Sequence, residues 1–153
     1  VRAPEKIAKL IRDFWDTNHE KSKPEKWPAG NIYVNHWNKP TMMVSVDDTS
    51  LRGSGSALKT TIWENARSTI EEWTGGQDIS PTSMYGIRVY QEGAVLVPHL
   101  DRLPLVASAM VNVAQDVDED WPIEIYDHDG VAHNVTLAPG DMLLFESHST
   151  IHG

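Results

Sequence analysis

From Met84 onward the chain is a succession of short runs rich in Val, Ile and Tyr, punctuated by the turn pairs Glu92-Gly93, Asp129-Gly130 and Pro139-Gly140. Runs this short and this evenly spaced fit the strands of a sandwich or barrel. They predict strands near 84–91, 94–100, 105–114, 122–127, 131–137 and 141–146. Met142-Leu143-Leu144-Phe145 is apolar without alternation, which predicts a strand covered on both faces.

The first half reads differently. Ile7, Leu10, Ile11 and Phe14 recur at helical spacing, so residues 4–21 should form an amphipathic helix with Pro4 in its first turn. Leu58, Ile62, Ala66, Ile70 and Trp73 form a second stripe, predicting a helix from Ser56 to Trp73 that Gly75-Gly76 stops. Lys23–Gly30, with Pro24 and Pro28, is a connector. Ile32–Trp37 and Thr41–Val46 read as strands split by Asn38-Lys39-Pro40. Asp47–Ser56 is polar and Gly-rich. Its Gly53-Ser54-Gly55-Ser56 lacks the third Gly or the Gly-Lys-Ser/Thr of a phosphate loop, so a mobile loop is expected, placed to act as a lid. The resulting fold class is mainly β with two helices packed outside a barrel. It is one domain over 1–153, with helical and strand support in 1–83 and the barrel core in 84–153.

Composition narrows the function. A formal charge of −9 disfavours nucleic acid, whose phosphates need clustered Lys and Arg. It suits a basic or neutral peptide partner, although solubility alone also explains it. The absence of Cys excludes disulfides, thiolate zinc sites, iron–sulfur clusters and Cys nucleophiles. No apolar run reaches the roughly 20 residues of a membrane span, and no targeting segment opens the chain, so a soluble domain is expected, with its compartment open. The start at Val1 and stop at Gly153 read as the limits of a segment.

Chemistry centres on Val97-Pro98-His99-Leu100-Asp101-Arg102. Seven His and 22 acidic residues give about one His-x-Asp/Glu pair by chance, and the chain has one, so spacing alone carries little. On a strand, however, residues i and i+2 face the same side, so His99 and Asp101 can reach one point. A third ligand stands near the end. Glu146-Ser147-His148-Ser149-Thr150-Ile151-His152 is a dense polar run directly after the buried strand, and buried polar groups need partners or a metal. His152 and His148 are rivals for that role, and whichever does not bind metal can orient the site. Two imidazoles and a carboxylate on one side of an ion leave positions open, as mononuclear non-haem iron requires.

The run Tyr85-Gly86-Ile87-Arg88-Val89-Tyr90-Gln91-Glu92-Gly93, then Pro98-His99-Leu100-Asp101, then Pro139-Gly140-Asp141-Met142-Leu143-Leu144-Phe145 and Ile151-His152-Gly153, resembles the prolyl 4-hydroxylase-type 2-oxoglutarate and iron(II)-dependent dioxygenases. The likeness covers 84–153, close to half the chain. It implies a double-stranded β-helix (jelly-roll) barrel, with His99, Asp101 and His152 as iron ligands and Tyr90 on 2-oxoglutarate. His152 is preferred over His148 because it holds the His-Gly/Ala position. The implied cofactors are Fe(II) and 2-oxoglutarate, with ascorbate an optional addition. The implied reaction hydroxylates a substrate C–H, best a prolyl residue in a peptide or protein, consuming molecular oxygen and releasing succinate and CO2.

The chain departs from the family pattern in three places. Leu96 stands where a second tyrosine is frequent, and Asp120-Trp121-Pro122-Ile123-Glu124-Ile125 replaces a Gly-Gly-x-Thr segment. The basic residue that anchors the distal 2-oxoglutarate carboxylate is expected about ten positions past His152, beyond Gly153. Arg88, two residues before Tyr90, is the fallback anchor, with a surface Arg as the plainer reading. Arg102 can meet substrate or pair with a surface acid. Trp37, Trp121 and Tyr126 can line a peptide groove or belong to the core. Asn112 and Ser108 share a strand face and can satisfy a network near the metal or merely meet water. Two other classes remain: a cupin-like metal enzyme that does not use 2-oxoglutarate, and a non-catalytic jelly-roll binding module. A zinc hydrolase is weaker, since no His-Glu-x-x-His is present.

Overall fold

The computed structural model describes residues 1–26 and 39–153. The expected strand Ile32–Trp37 and the groove candidate Trp37 lie outside these residues.

Helix α1 spans Glu5–Asn18, one residue inside the expected start. Pro4 caps it, and its carbonyl accepts the N–H of Ile7 and Ala8 at 2.9 and 3.0 Å. Its apolar stripe buries Ile7 and Phe14, with Ile11 packed beside them. The helix ends at Asn18, whose amide donates to Phe14 O and Arg52 O and whose Oδ1 accepts from Arg52 N. One 3₁₀ turn, His19–Lys21, completes the expected helical stretch. Helix α2 spans Ser56–Trp73 as its periodicity predicts, burying Leu58, Ile62 and Ala66. Gly75 and Gly76 both take positive φ, and their N–H groups cap Glu72 O and Glu71 O. Trp73, the last residue of the stripe, stays exposed.

The strands are β1 (Lys23–Pro24), β2 (Met42–Ser45), β3 (Gly86–Val89), β4 (Ser108–Val111), β5 (Ile123–Tyr126), β6 (Ala132–Val135) and β7 (Met142–Phe145). Among the described residues they form three antiparallel sheets, β1-β2-β3, β4-β7 and β5-β6, and no closed barrel. β3, expected in the barrel core, pairs instead with β2 in the helix-covered sheet, Met42 opposite Val89 and Ser45 opposite Gly86. Gly86 makes this possible: its φ is 143°, and a Cβ there would collide with the Val44 carbonyl.

The apolar core lies between the helices and this sheet. Ile7, Phe14, Leu58, Ile62 and Ala66 meet Val44, Val46 and Leu51. Each large aliphatic side chain so buried contributes about 1.5–3 kcal/mol. Leu51 belongs to the loop expected to be mobile. That loop is stapled to both helices and β1: Lys59 pairs with Asp47, Lys23 with Asp48, Asn18 with the Arg52 backbone, and Gly55 N donates to Val46 O at 2.7 Å. A buried leucine and these bonds make it part of the scaffold rather than a lid.

The expected strand 94–100 is not regular. Its one β-bridge is at His99. Pro98 supplies no N–H for a ladder, which accounts for the break. The other expected strands form over shorter spans. β7 buries Met142 and Phe145, an odd number of residues apart, so each of its faces is covered in part. Its free edge takes the N-terminus: Met142 N donates to Val1 O, Ala3 N to Gly140 O, and Arg2 pairs with Asp141.

Candidate metal centre

His99, Asp101 and His152 come together: one ligand atom from each lies within 4.8 Å of the others. The backbone does the gathering. His99 and His152 exchange both N–H···O bonds at 3.0 Å, and on the other side Glu124 and Gly153 do the same. Residues 151–153 are thus a short strand inserted between His99 and β5. A Cβ on Gly153 would fall 2.7 to 2.8 Å from backbone atoms of Leu96 and Pro98, so glycine permits this approach. The two imidazole rings stand 4.4 Å apart, and Phe145 meets His152 edge-on at 4.7 Å.

Both imidazoles are oriented alike. His99 Nδ1 lies 2.9 Å from Val97 O, and His152 Nδ1 lies 2.9 Å from Thr150 O. A carbonyl only accepts, so each Nδ1 carries the proton and Nε2 is left as the basic nitrogen. His99 Nε2 points to Asp101 Oδ1 at 3.5 Å. Burial lowers the pKa of His152, and neighbouring His99 adds to the shift against the opposing pull of the Thr150 carbonyl and Asp101. A neutral ring is the form that binds a metal.

Asp101 stands outside any strand and is held by a clamp. Its N–H donates to Ser147 O at 2.8 Å, and its carbonyl lies 2.7 Å from His148 Nδ1. Ser147 is 0% exposed. Its hydroxyl donates to Leu105 O at 3.0 Å and accepts from Ser108 Oγ at 2.8 Å. His148 therefore touches the backbone of a ligand residue while His152 joins the cluster. Ser147 was not singled out by sequence reasoning. Its one signal was its place in the polar run after β7.

The remaining candidates divide. Arg88 and Tyr90 do share a face, and their side chains interact. The Arg88 fork, however, is engaged by Glu25 through two bonds of 2.8 Å, and Glu25 also accepts from Thr41 Oγ1. Burial pulls the Arg88 pKa down, but the Glu25 carboxylate and the Tyr90 hydroxyl together outweigh it and the net shift is upward. Glu25 sits in the Pro-rich connector and no sequence signal marked it. Burial pushes the Tyr90 hydroxyl above its ordinary value, with Arg88 opposing.

Trp121 is 47% exposed and packs against Tyr90, centroids 6.1 Å apart. The core reading of this residue is corrected: the segment before it carries four acids and is fully exposed, so no apolar layer covers it. Tyr126 bonds Glu124 along β5, which raises its pKa. Asn112 donates to Leu137 O and Gln115 Oε1, both at 2.6 Å, tying the end of β4 to the loop before β7. Of the Asn112–Ser108 pair, Ser108 is the one that reaches the Asp101 clamp. Arg102 is exposed and makes no ion pair among the described residues.

The donor set could hold a metal such as a mononuclear non-haem iron: two imidazole nitrogens and one carboxylate, with the second nitrogen of each ring held against a backbone carbonyl. No helix among the described residues is long and apolar enough to cross a membrane. No protein-family model, no curated protein and no solved structure matches the chain.

Proposed function

We propose that this protein is an Fe(II)- and 2-oxoglutarate-dependent dioxygenase that hydroxylates a substrate C–H bond, with peptidyl proline as the substrate class. The antiparallel sheets are read as parts of a jelly-roll barrel. The observation that carries the proposal is the convergence of His99, Asp101 and His152 from segments 51 residues apart (101 to 152), with the Nδ1 of each ring against a backbone carbonyl.

When bound, iron with 2-oxoglutarate and oxygen supplies the oxidising power for a C–H bond and yields succinate and CO2. The chain's own residues do the rest. The Val97 and Thr150 carbonyls keep the two ligand nitrogens basic. Ser147 and His148 fix the Asp101 backbone, so its carboxylate need not find its place at the moment of binding. Tyr90 is the residue that would contact 2-oxoglutarate. Arg88 could take the distal carboxylate only by giving up Glu25, because its fork is already engaged by a carboxylate.

The test is an anaerobic titration with Fe(II), then with 2-oxoglutarate. A visible charge-transfer band that appears only with both, and succinate release on admitting oxygen, are the expected results. Stoichiometric iron with no response to 2-oxoglutarate would replace the proposal with a cupin-like metal enzyme. No stoichiometric iron would replace it with a non-catalytic binding module.

A further inference from the structure

The Trp121–Tyr90 pair is an exposed aromatic surface with an unusual border. The two rings stand 60° apart in plane with centroids 6.1 Å apart, and Trp121 is 47% and Tyr90 36% exposed. Each keeps part of its ring open to solvent, while the Tyr90 hydroxyl is covered beside Arg88. Tyr90 belongs to the proposed co-substrate site, and Trp121 leads into β5, the strand that pairs with residues 151–153.

Directly before Trp121 runs Asp116-Val117-Asp118-Glu119-Asp120, four carboxylates in five residues, every residue exposed. None of these acids makes an ion pair among the described residues. Several acids elsewhere are neutralised by a basic partner, while others, such as Glu5, Glu20 and Glu64, also stand without an ion pair among the described residues. Asp13, Asp16, Asp47, Asp48, Glu71 and Asp141 each pair with a Lys or Arg. Like charges held side by side in water repel, and they do so at a segment that contributes nothing to the apolar core. The last three acids lie one to three residues from Trp121, so their Cα atoms are within about 11 Å of it, which a lysine or arginine side chain and its neighbours span.

Electron-rich ring faces and carboxylates share one kind of guest, an organic cation. Rings attract a cation by their quadrupole, and carboxylates attract it by charge. An acidic or neutral chain would find repulsion or indifference on the same surface. A nucleic acid would be repelled outright. We propose that Trp121 and Tyr90, bordered by the acidic run 116–120, dock a lysine- or arginine-bearing segment of a protein substrate next to the residue to be oxidised. This rests on the dioxygenase reading for what happens to the substrate, but not for its binding.

The experiment measures binding without turnover. Fluorescently labelled proline-containing peptides, identical except for two Lys, two Ser or two Glu beside the proline, are titrated with the full chain. The Lys peptide should bind about tenfold more tightly than the Ser peptide, with the Glu peptide weakest. The preference should shrink as salt rises from about 0.05 to 0.5 M. Neutralising the run (D116N, D118N, E119Q and D120N together) should erase the Lys preference, and Trp121→Ala should weaken the Lys peptide. All these residues are exposed, so melting temperature should not move and folding is not in question. Equal affinities for the three peptides, or a Lys preference that survives neutralisation, would overturn the proposal. Failure of the iron titration with the Lys preference intact would overturn the dioxygenase reading and leave the docking surface standing.

Discussion

The two parts of this molecule are held together by different forces. Among the described residues of 1–89 nine apolar side chains are buried, from Ala3 to Ala66, eight of them in the helix-covered core, with Asn18 and Thr41 buried beside them. Among residues 94–153 the buried apolar side chains are Ala94, Met142 and Phe145, and beside them Ser147 and His152 are buried too. The first part is a scaffold made by exclusion of water. The second is an array of short antiparallel ribbons whose precision comes from backbone bridges and polar clamps. The candidate ligands lie in the second part, where polar groups can be presented without breaking an apolar layer. The contrast implies that stability and chemistry can be perturbed separately.

The largest test of that separation pairs a ligand with a core residue. His99→Ala, Asp101→Ala or His152→Ala should abolish succinate formation and weaken Fe(II) by more than about 100-fold, read by metal titration. The apo protein should stay folded by circular dichroism. Phe14→Ala should do the reverse, costing about 3–5 kcal/mol of unfolding free energy in urea while the folded fraction keeps its metal affinity. If His152→Ala melts the protein as severely as Phe14→Ala, the two parts are one cooperative core and the contrast fails.

The next test lies within the second part. Ser147→Ala leaves Leu105 O and Ser108 Oγ without their partner and should cost about 1–3 kcal/mol. His148→Ala removes the contact with Asp101 O and should weaken Fe(II) by roughly 10-fold, well short of the His152→Ala effect. A His148 variant that loses metal as completely as a His152 variant would exchange their roles. Ser147→Ala without any effect on either measurement would show that the clamp is dispensable.

How much of this was legible depended on range. The stripes of α1 and α2 are local patterns, and both helices formed where the periodicity placed them. The short strands after Met84 were also legible, because alternation and turn pairs are local. The pairing was not: β3 joins β2 across 40 residues, and no periodicity states a partner. The strand expected at 94–100 was lost to Pro98, whose missing N–H weighs more than the apolar run around it. At the site, the spacing of His99 and Asp101 was no better than chance; they and His152 could be named only from the polar run after the buried strand and from the family resemblance, which preferred His152 over His148. Ser147 and Glu25 could not, since a serine's hub role and a glutamate's grip on Arg88 arise from contacts 39 and 63 residues away. The Asp47–Ser56 loop misled because its composition is polar, while its one leucine is what the core holds.

That loop gives the smallest and most specific test of the scaffold. The Lys23 ammonium, the Ser50 hydroxyl and the Ser50 N–H all bond the Asp48 carboxylate and hold its pKa at about 2, below the ordinary 3.8. A carboxyl depressed in the folded state binds fewer protons there than in the unfolded chain between these two values. Its stabilising contribution is therefore complete above pH 3.8 and is lost as pH falls towards 2. Asp48→Asn should remove that portion of the acid dependence, flattening the melting temperature between those pH values and slightly lowering it at neutral pH. The carboxylate is solvent-accessible, so the shift at neutral pH should be small and should shrink further in salt. The metal affinity, measured at neutral pH, should not change. An Asp48→Asn variant that keeps the full acid slope would show that the loop is not stapled through this carboxylate. One that also weakens Fe(II) would couple the scaffold to the site and erase the distinction between the two parts.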